Sequence, residues 1–455
     1  MIPHRTVEQV KDMAAANIVQ IIGEYVTLRR SGASYKGCCP FHSEKTPSFN
    51  VNPARGTYYC FGCHEHGNAI GFVMKTQNIS FPDAVRALGK RFGIDVQDEN
   101  QTPEQQQAER EREVLLSTME YATRAFEENL RATSEGQTQG LAYLRSRGFR
   151  DDTIATFRLG YSLSGADGIT AKATAGGYNI NALLRCGLTR ANAETGEAYD
   201  YFRGRVMFPI HNASGKVIAF GGRAVDAGAE GTKLKYIVTP ETELYKKDSA
   251  LFGLNQAKQE MAKKKKCYVV EGYTDVVSLY QSGVKNVVAP NGTALMPGHL
   301  RLISRFTNNL TLIFDGNPAG RMATLRSIDI ILAEGLTVSV LPLPEGEDPD
   351  SFARQHTPDE VQDYVAHHEV DFVSFQAQTL LAGCGTDPAK KLDAIGTILT
   401  SIALVKDDIL RELYAQQCVR VTGMSKDTIF FNLEQIMLAA AEEQRSNNRQ
   451  HWQDR

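Results

Sequence analysis

Long hydrophobic runs are missing from this sequence. No apolar stretch approaches the ~20 residues that a membrane span requires. The start, Met1-Ile2-Pro3-His4-Arg5, leads straight into a polar helix and not into a leader peptide. The expectation is a cytoplasmic protein without membrane contact. A strong net charge is missing too: 50 Lys and Arg against 53 Asp and Glu leave −3. The whole molecule is therefore no polycation, and any contact with nucleic acid must come from local basic patches. No 20–50-residue repeat is present, which excludes a solenoid. No G-x-x-x-x-G-K-[ST] loop is present, which excludes a fused P-loop motor.

What is there is ordinary globular material: 455 residues, 42% hydrophobic and 23% charged. At ~100–200 residues per domain, that length suggests several domains. Residues 1–97 mix helix with short aromatic strands. The polar, Gln- and Glu-rich stretch 98–112 reads as a linker or an exposed helix start. Residues 113–262 combine helix with short strands and Gly-rich turns. From 263 to 355 the pattern is regular, with strands at 267–270, 286–289, 310–314 and 336–341 alternating with helices. Such alternation implies a parallel sheet covered by helices. Residues 356–443 read as helical, and 444–455 as a frayed polar tail.

Of eight cysteines, four (Cys38, Cys39, Cys60 and Cys63) crowd the first 63 residues. In a cytoplasmic chain they point to metal binding, not disulfides. Cys39-Pro-Phe-His42 and Cys60-Phe-Gly-Cys63 are two x2 pairs, 17 residues apart, and a hairpin of that length suits a tetrahedral zinc site. Cys38 stands as an alternative to Cys39, but only Cys39 makes the x2 spacing to His42. His64 and His66 stand as alternatives to His42. Cys60-Phe-Gly-Cys63-His64 also spells a haem-attachment pattern, which would leave Cys39 and His42 unexplained.

Carboxylates end three of the expected strands. Glu271 follows 267–270, Asp315 follows 310–314, and Asp348 and Asp350 follow 336–341 through a Pro-Gly loop. In an open α/β sheet the functional crevice lies beyond the carboxyl ends of the strands. Hard oxygen ligands gathered there suit Mg²⁺ or Mn²⁺ and the phosphoryl chemistry those ions serve. The plainer reading makes each acid a solvated loop residue or a helix N-cap. Gly272, Gly316 and Gly320 keep the backbone beside these acids open. Between the two regions, residues 199–247 interleave Arg203, Arg205, Lys216, Arg223, Lys233, Lys235, Lys246 and Lys247 with aromatic residues. This pattern fits a single-strand groove, though solvated faces look the same. Lys263 to Lys266 read as a solvated helix end. Pro290-Asn-Gly-Thr-Ala294 reads equally as a phosphate-approaching loop or a strand-to-helix turn.

These words resemble the bacterial DNA primase family (the DnaG type) over about residues 2 to 440. Cys39-Pro-Phe-His42-Ser-Glu-Lys-Thr-Pro-Ser-Phe49, Tyr59-Cys60-Phe-Gly-Cys63 and His66-Gly-Asn68 resemble its zinc domain. Val269-Val-Glu271-Gly-Tyr-Thr-Asp275, Phe314-Asp315-Gly-Asn317-Pro-Ala-Gly320 and Gly346-Glu-Asp348-Pro-Asp350 resemble its Toprim signatures. Phe202-Arg203-Gly-Arg205, Phe220-Gly-Gly-Arg223 and Lys235-Tyr236 resemble the segment beside the Toprim fold.

The resemblance implies an α/β multidomain protein: an N-terminal zinc ribbon, a mixed α+β subdomain, a Toprim parallel-sheet subdomain and a C-terminal helical segment. It implies synthesis of short RNA primers from NTPs on a single-stranded DNA template, within a primosome. Cys39, His42, Cys60 and Cys63 would hold one structural Zn²⁺. Glu271, Asp315 and Asp348 would be catalytic and, with Asp350 and Asp275, would hold two or more Mg²⁺ or Mn²⁺. Arg203, Arg205, Arg223, Lys235 and Tyr236, with Arg147 in Arg-Gly-Phe149, would bind template or nucleotide. Phe49, Tyr58 and Phe61 are candidates for base stacking by the ribbon, or else form its core.

Two positions depart from the family pattern. His64 stands where a Gly is usual, and a Gly there takes φ > 0 more readily. Asn317 stands where family members with a D-G-D motif have Asp, which keeps an oxygen ligand but loses a charge. The family's helicase-docking domain is expected to be absent, through truncation or a naturally short form, so that primers are made but a replicative helicase stimulates poorly. A monomer is expected. The alternatives are another Toprim phosphotransferase, such as a type IA topoisomerase needing a nucleophilic tyrosine in a further domain, or a non-catalytic zinc-ribbon adaptor for single-stranded DNA with a decayed acidic site.

Overall fold

The computed structural model describes residues 2–42, 44–77, 79–96, 102–165, 168–225 and 234–453. The chain divides into two compact units. The first comprises Met1–Gly140, Arg158–Tyr245 and Leu254–Lys264, and the second Leu141–Phe157, Lys246–Gly253 and Lys265–Arg455.

The first unit opens on a five-stranded antiparallel sheet, β1 (Arg29–Ser31), β2 (Ser34–Gly37), β3 (Phe49–Asn52), β4 (Thr57–Cys60) and β5 (His66–Asn68), in that order. Alternation along β4 decides what faces inward. Tyr58 and Cys60 are buried while Thr57 and Tyr59 are exposed, as the two-residue period of a strand requires. The core of this region joins Phe49, Tyr58 and Phe72 to Val10, Ile18 and Ile22 of the first two helices, His4–Ala16 and Ile18–Gly23. Phe49 and Tyr58 stack at 5.1 Å.

The helix Pro103–Ala132 follows, so residues 103–112 of the expected linker are helical, while 98–101 lie outside the described residues. Thr102 and Gln105 form a capping box there, and Pro103 supplies the fixed φ favoured at a first helical position. Its Phe126 meets Phe220 edge-on at 5.2 Å. A second sheet has β6 (Gly160–Ser162), β9 (Arg205–His211), β10 (Val217–Ala224) and β11 (Tyr236–Val238) in the order β11-β10-β9-β6, all antiparallel. β7 (Thr189–Ala191) and β8 (Ala198–Asp200) pair separately.

The second unit is built on a six-stranded sheet. β12 (Leu251–Phe252), β13 (Cys267–Val269), β14 (Val287–Pro290), β15 (Asn309–Leu312), β16 (Thr337–Val340) and β17 (Val370–Asp371) lie in the order β12-β14-β13-β15-β16-β17. The middle four are parallel, and both edges are antiparallel. β13 and β14 are wholly buried, as strands covered on both faces must be.

Two segments expected within 113–262 belong here. Leu251 and Phe252 extend the sheet beside β14, and Phe157 stacks on Phe252 and meets Tyr280 edge-on. Five helices, Pro358–His367, Phe372–Leu381, Pro388–Ala403, Asp408–Thr422 and Lys426–Gln453, make up the helical region. The last continues through residues expected to fray, and β17 interrupts the stretch expected to be wholly helical. Among the described residues, no helix is long and apolar enough to cross a membrane.

Candidate metal centres and nucleic-acid interface

The β3–β4 hairpin brings the two sequence knuckles together. The ligand atoms of Cys39, His42, Cys60 and Cys63 all lie within 4.8 Å of one another. Cys39 Sγ is 3.8 Å from Cys63 Sγ, and Cys60 Sγ is 3.7 Å from His42 Nδ1. A tetrahedral zinc with bonds of ~2.3 Å to sulfur sets its ligands ~3.8 Å apart, so this quartet fits the ion. Neither Cys38 nor His64 nor His66 belongs to the quartet: His64 Nδ1 bonds to Tyr59 Oη at 2.9 Å, and His66 Nδ1 to the His64 carbonyl at 3.0 Å.

Glu44 joins the quartet's surroundings, which the ligand spacing alone does not reveal. Its Oε2 lies 3.2 Å from His42 Nε2, while Oε1 accepts the amides of Cys39 at 2.7 Å and Ser48 at 3.1 Å. A carboxylate on the far nitrogen fixes the tautomer and orientation of a ligating imidazole. Burial raises the Glu44 carboxyl, but the hydrogen bonds from Ser48 and Cys39, with His42, hold it below its ordinary range. Burial likewise raises Cys60, but hydrogen bonds from Ser48, Cys63 and Gly62 outweigh it and bring the thiol down to about 7.

Phe49 and Tyr58, two of the stacking candidates, are core residues at 0% and 2% exposure. Phe61 is 66% exposed and Tyr59 38%, with rings 4.9 Å apart. Tyr59 also stacks on His66. His64 takes the positive φ, +60°, that a Gly would take more cheaply.

In the second unit the three acids arrive as the strand pattern requires. Glu271, Asp315 and Asp348 follow the carboxyl ends of the adjacent parallel strands β13, β15 and β16. Asp315 N points at Glu271 Oε1 at 3.5 Å, and Gly316 N donates to the Glu347 carbonyl at 2.8 Å, which joins the Asp315 and Asp348 loops. A side chain at Gly316 would strike the Pro344 carbonyl, and one at Gly320 the Asp315 carbonyl, so glycine is required at both close approaches. Although Glu271 keeps an exposed face, partial burial and then Asp315 raise its carboxyl. Burial, reinforced by Asp348, pushes Asp275 up to about 7.

The plainer reading of these acids is realised at Asp348, a helix N-cap, while Asp275 bonds back to the amide that precedes its helix. Asp348 caps the helix Pro349–Gln355, its Oδ1 accepting Ser351 N at 2.6 Å. Asp275, 8% exposed, accepts Gly272 N at 2.8 Å. Asn317 caps the helix Pro318–Ala333 through Oδ1, which accepts Gly320 N at 2.8 Å, and turns its amide nitrogen to Asp315 Oδ2 at 3.2 Å. The oxygen expected to serve as a ligand is thus already engaged. Asp350 is 1% exposed and pairs with Arg147, Arg354 and Ser278. That pairing also accounts for Arg147, which was expected to bind nucleotide.

The basic residues divide in the same way. Arg205 is 6% exposed and donates to the carbonyls of Gly222 at 3.2 Å and Leu234 at 2.9 Å. It begins β9, every residue of which is buried, so it ties strands together instead of facing phosphate. Arg223 and Tyr236 are register partners on β10 and β11, with Nη1 donating to Tyr236 Oη at 2.6 Å. Arg203 and Lys235 are exposed, and Arg203 lies 5.2 Å from the Tyr199 ring. Lys233 lies outside the described residues. Pro290 ends β14, and Gly292 turns the chain at φ +69° toward the helix Pro297–Ile303.

Comparison with known proteins follows the same segments. Residues 2–104 match the CHC2 zinc finger, 125–258 the DNA primase catalytic core N-terminal domain, 268–353 a Toprim-like domain, and 373–427 the DnaB-helicase binding domain of primase. The last match overturns the expectation that a helicase-docking domain is absent. That domain falls among short helices with no distinctive motif, which read only as a generic helical segment.

A DNA primase of Pseudomonas aeruginosa is 36% identical over 91% of this chain and 62% of its own length. One of Halalkalibacterium halodurans is 33% identical over 94% of this chain and 70% of its own. The chain thus spans about two thirds of the length of these curated relatives. The zinc-binding and RNA polymerase domains of Aquifex aeolicus primase superpose with a TM-score of 0.63 at 28% identity, covering 94% of this chain and 99% of that one. A DnaG primase catalytic domain bound to single-stranded DNA superposes at 0.61 and 29% identity, covering 70% of this chain and 99% of that one. With its zinc quartet, its strand-end acids and these matched segments in the same order along the chain, this protein belongs to the DnaG family of bacterial DNA primases.

Proposed function

We propose that the chain is a template-directed RNA polymerase that makes short RNA primers on single-stranded DNA. The observation that carries this reading is the arrival of Glu271, Asp315 and Asp348 at one edge of a parallel sheet, from three adjacent strands. Their hard oxygens would hold two or more Mg²⁺ or Mn²⁺ ions. Such ions, when bound, neutralise a triphosphate and favour the ionised form of an attacking 3′-hydroxyl.

The chain's own groups do the positioning. Glu271 and Asp315 are held side by side by the Asp315 amide, and the Gly316–Glu347 bond brings the Asp348 loop against them. Exposed Arg203 and Lys235, with the Arg223–Tyr236 pair, would take phosphates and bases of template and nucleotide. The quartet Cys39, His42, Cys60 and Cys63 would hold one structural zinc and thereby fix the ribbon. Tyr59 and Phe61 would then be presented to template bases. Residues 373–427 would dock a replicative helicase. The DNA-bound relative and the family membership support the template, and the donor set supports the ions.

Incubation with a single-stranded template, labelled NTPs and Mg²⁺ or Mn²⁺ should yield short RNA. Intact DNA binding with no RNA would favour the non-catalytic adaptor.

A further inference from the structure

We propose that Asp350 is a positioning residue and not a metal ligand: it clasps the acid-bearing segments together through Arg147 and Ser278. The inference deepens the proposed function and rests on it.

Asp350 is 1% exposed, and both of its oxygens are taken. Oδ1 accepts from the Ser278 hydroxyl, and Oδ2 accepts from Arg147 Nη2 and, at 3.1 Å, from Arg354 Nε. Each partner lies on a different part of the second unit. Ser278 sits in the helix Tyr273–Gln281, which begins directly after Glu271 and Gly272. Arg147 ends the helix Ala142–Ser146. Arg354 lies one turn along Asp350's own helix, Pro349–Gln355, whose cap is Asp348. One carboxylate therefore ties the helix that carries Asp348 to the helix that follows Glu271, and both to a segment 203 residues earlier in the chain.

The geometry of Asp348-Pro349-Asp350 leads to the same assignment. Residues two apart at a helix start point to different sides, ~200° apart at ~100° per residue, so both acids cannot serve one face. Asp348 is half-buried and spends only Oδ1 on its cap, whereas Asp350 points inward. A buried carboxylate already matched by two guanidinium groups would have to abandon both to ligate a cation, leaving half-buried Arg147 without its counter-charge.

The test is a Mn²⁺ titration read by electron paramagnetic resonance, followed by primer synthesis at saturating metal. The proteins are the full chain and its variants D350N, R147A, R147K, R147A/D350N and S278A, with D348N as the ligand control. Expected are Mn²⁺ affinities for D350N and R147A within about threefold of the unaltered chain, against a loss of about tenfold or more for D348N. At saturating metal, kcat should fall about tenfold or more in D350N and R147A with KM for nucleotide unchanged. The double variant should be no worse than the worse single one, because both remove the same clasp. R147K should restore part of the rate. S278A, which deletes only a hydroxyl, should lower kcat a few-fold even if D350N folds poorly.

A tenfold loss of Mn²⁺ affinity in D350N that R147A does not share would make Asp350 a ligand and overturn the proposal. So would losses that multiply in the double variant, or a normal kcat accompanied only by a lower melting temperature. Should the unaltered chain make no RNA, the primase reading fails. The Mn²⁺ comparison among D350N, R147A and D348N would still decide whether Asp350 is a ligand.

Discussion

At the ribbon, four ligand atoms meet within 4.8 Å of one another. In the Toprim unit, Glu271, Asp315 and Asp348 reach one sheet edge, but among the described residues the Cys/His quartet is the group that converges so closely. The difference lies in what assembles each set. Two knuckles on a short hairpin converge by local geometry, and their thiols and imidazole tolerate close approach. Three acids on separate strands start ~4.8 Å apart per strand, repel one another, and are partly engaged by their own backbones. The Cys/His set is gathered by one hairpin, whereas the acids are held at the sheet edge by caps and loop bonds.

The largest effects should separate the two sites cleanly. Cys60→Ser should remove zinc and unfold the ribbon, because structural zinc contributes about 10 kcal/mol or more to such folds. Glu271→Gln should keep zinc at one per chain and lose about a thousandfold in primer synthesis. Metal analysis of both proteins beside a labelled-NTP assay checks the pair, and zinc loss in Glu271→Gln would break the separation. Glu44→Gln should weaken zinc about tenfold, as competition with a chelator would show, since it removes the charge on the imidazole's far nitrogen. An unchanged affinity would mean that the hairpin alone orients His42.

Asn317→Asp keeps the helix cap but sets a second carboxylate beside Asp315 Oδ2, where the amide now donates at 3.2 Å. It should lower the Mg²⁺ needed for half-maximal activity several-fold and slightly lower thermal stability without metal. Identical titration curves would dismiss the charge at this corner. His64→Gly should stabilise the ribbon by about 0.5–1 kcal/mol by relieving a positive φ, as thermal denaturation of the zinc-loaded protein would measure.

The convergence of Cys39, His42, Cys60 and Cys63 was legible because residue type and spacing were both diagnostic. The strand-end acids were legible because the β-α alternation placed them. The parity of β4 was also available: Cys60 must face inward as a ligand, so Tyr58 shares its face and Tyr59 does not. That parity favours the core over the stacking surface for Tyr58. The role of Asp350 could not be read, because its partner Arg147 is 203 residues away. Arg205 looked like its neighbour Arg203, and only the pairing of β9 with β10 shows that it is enclosed. The segment that matches the DnaB-helicase binding domain carries ordinary helices, whose periodicity reveals burial but not a partner.

The division of the chain into interleaved units constrains how the molecule can be cut. The chain passes from one unit to the other after Gly140, Phe157, Tyr245, Gly253 and Lys264. No single cleavage therefore releases either unit whole. A fragment beginning at Lys265 would lack Leu251 and Phe252 and expose the edge of β14 that they cover. Such a bare edge invites pairing between copies, so the fragment should aggregate unless the missing strand is supplied in trans.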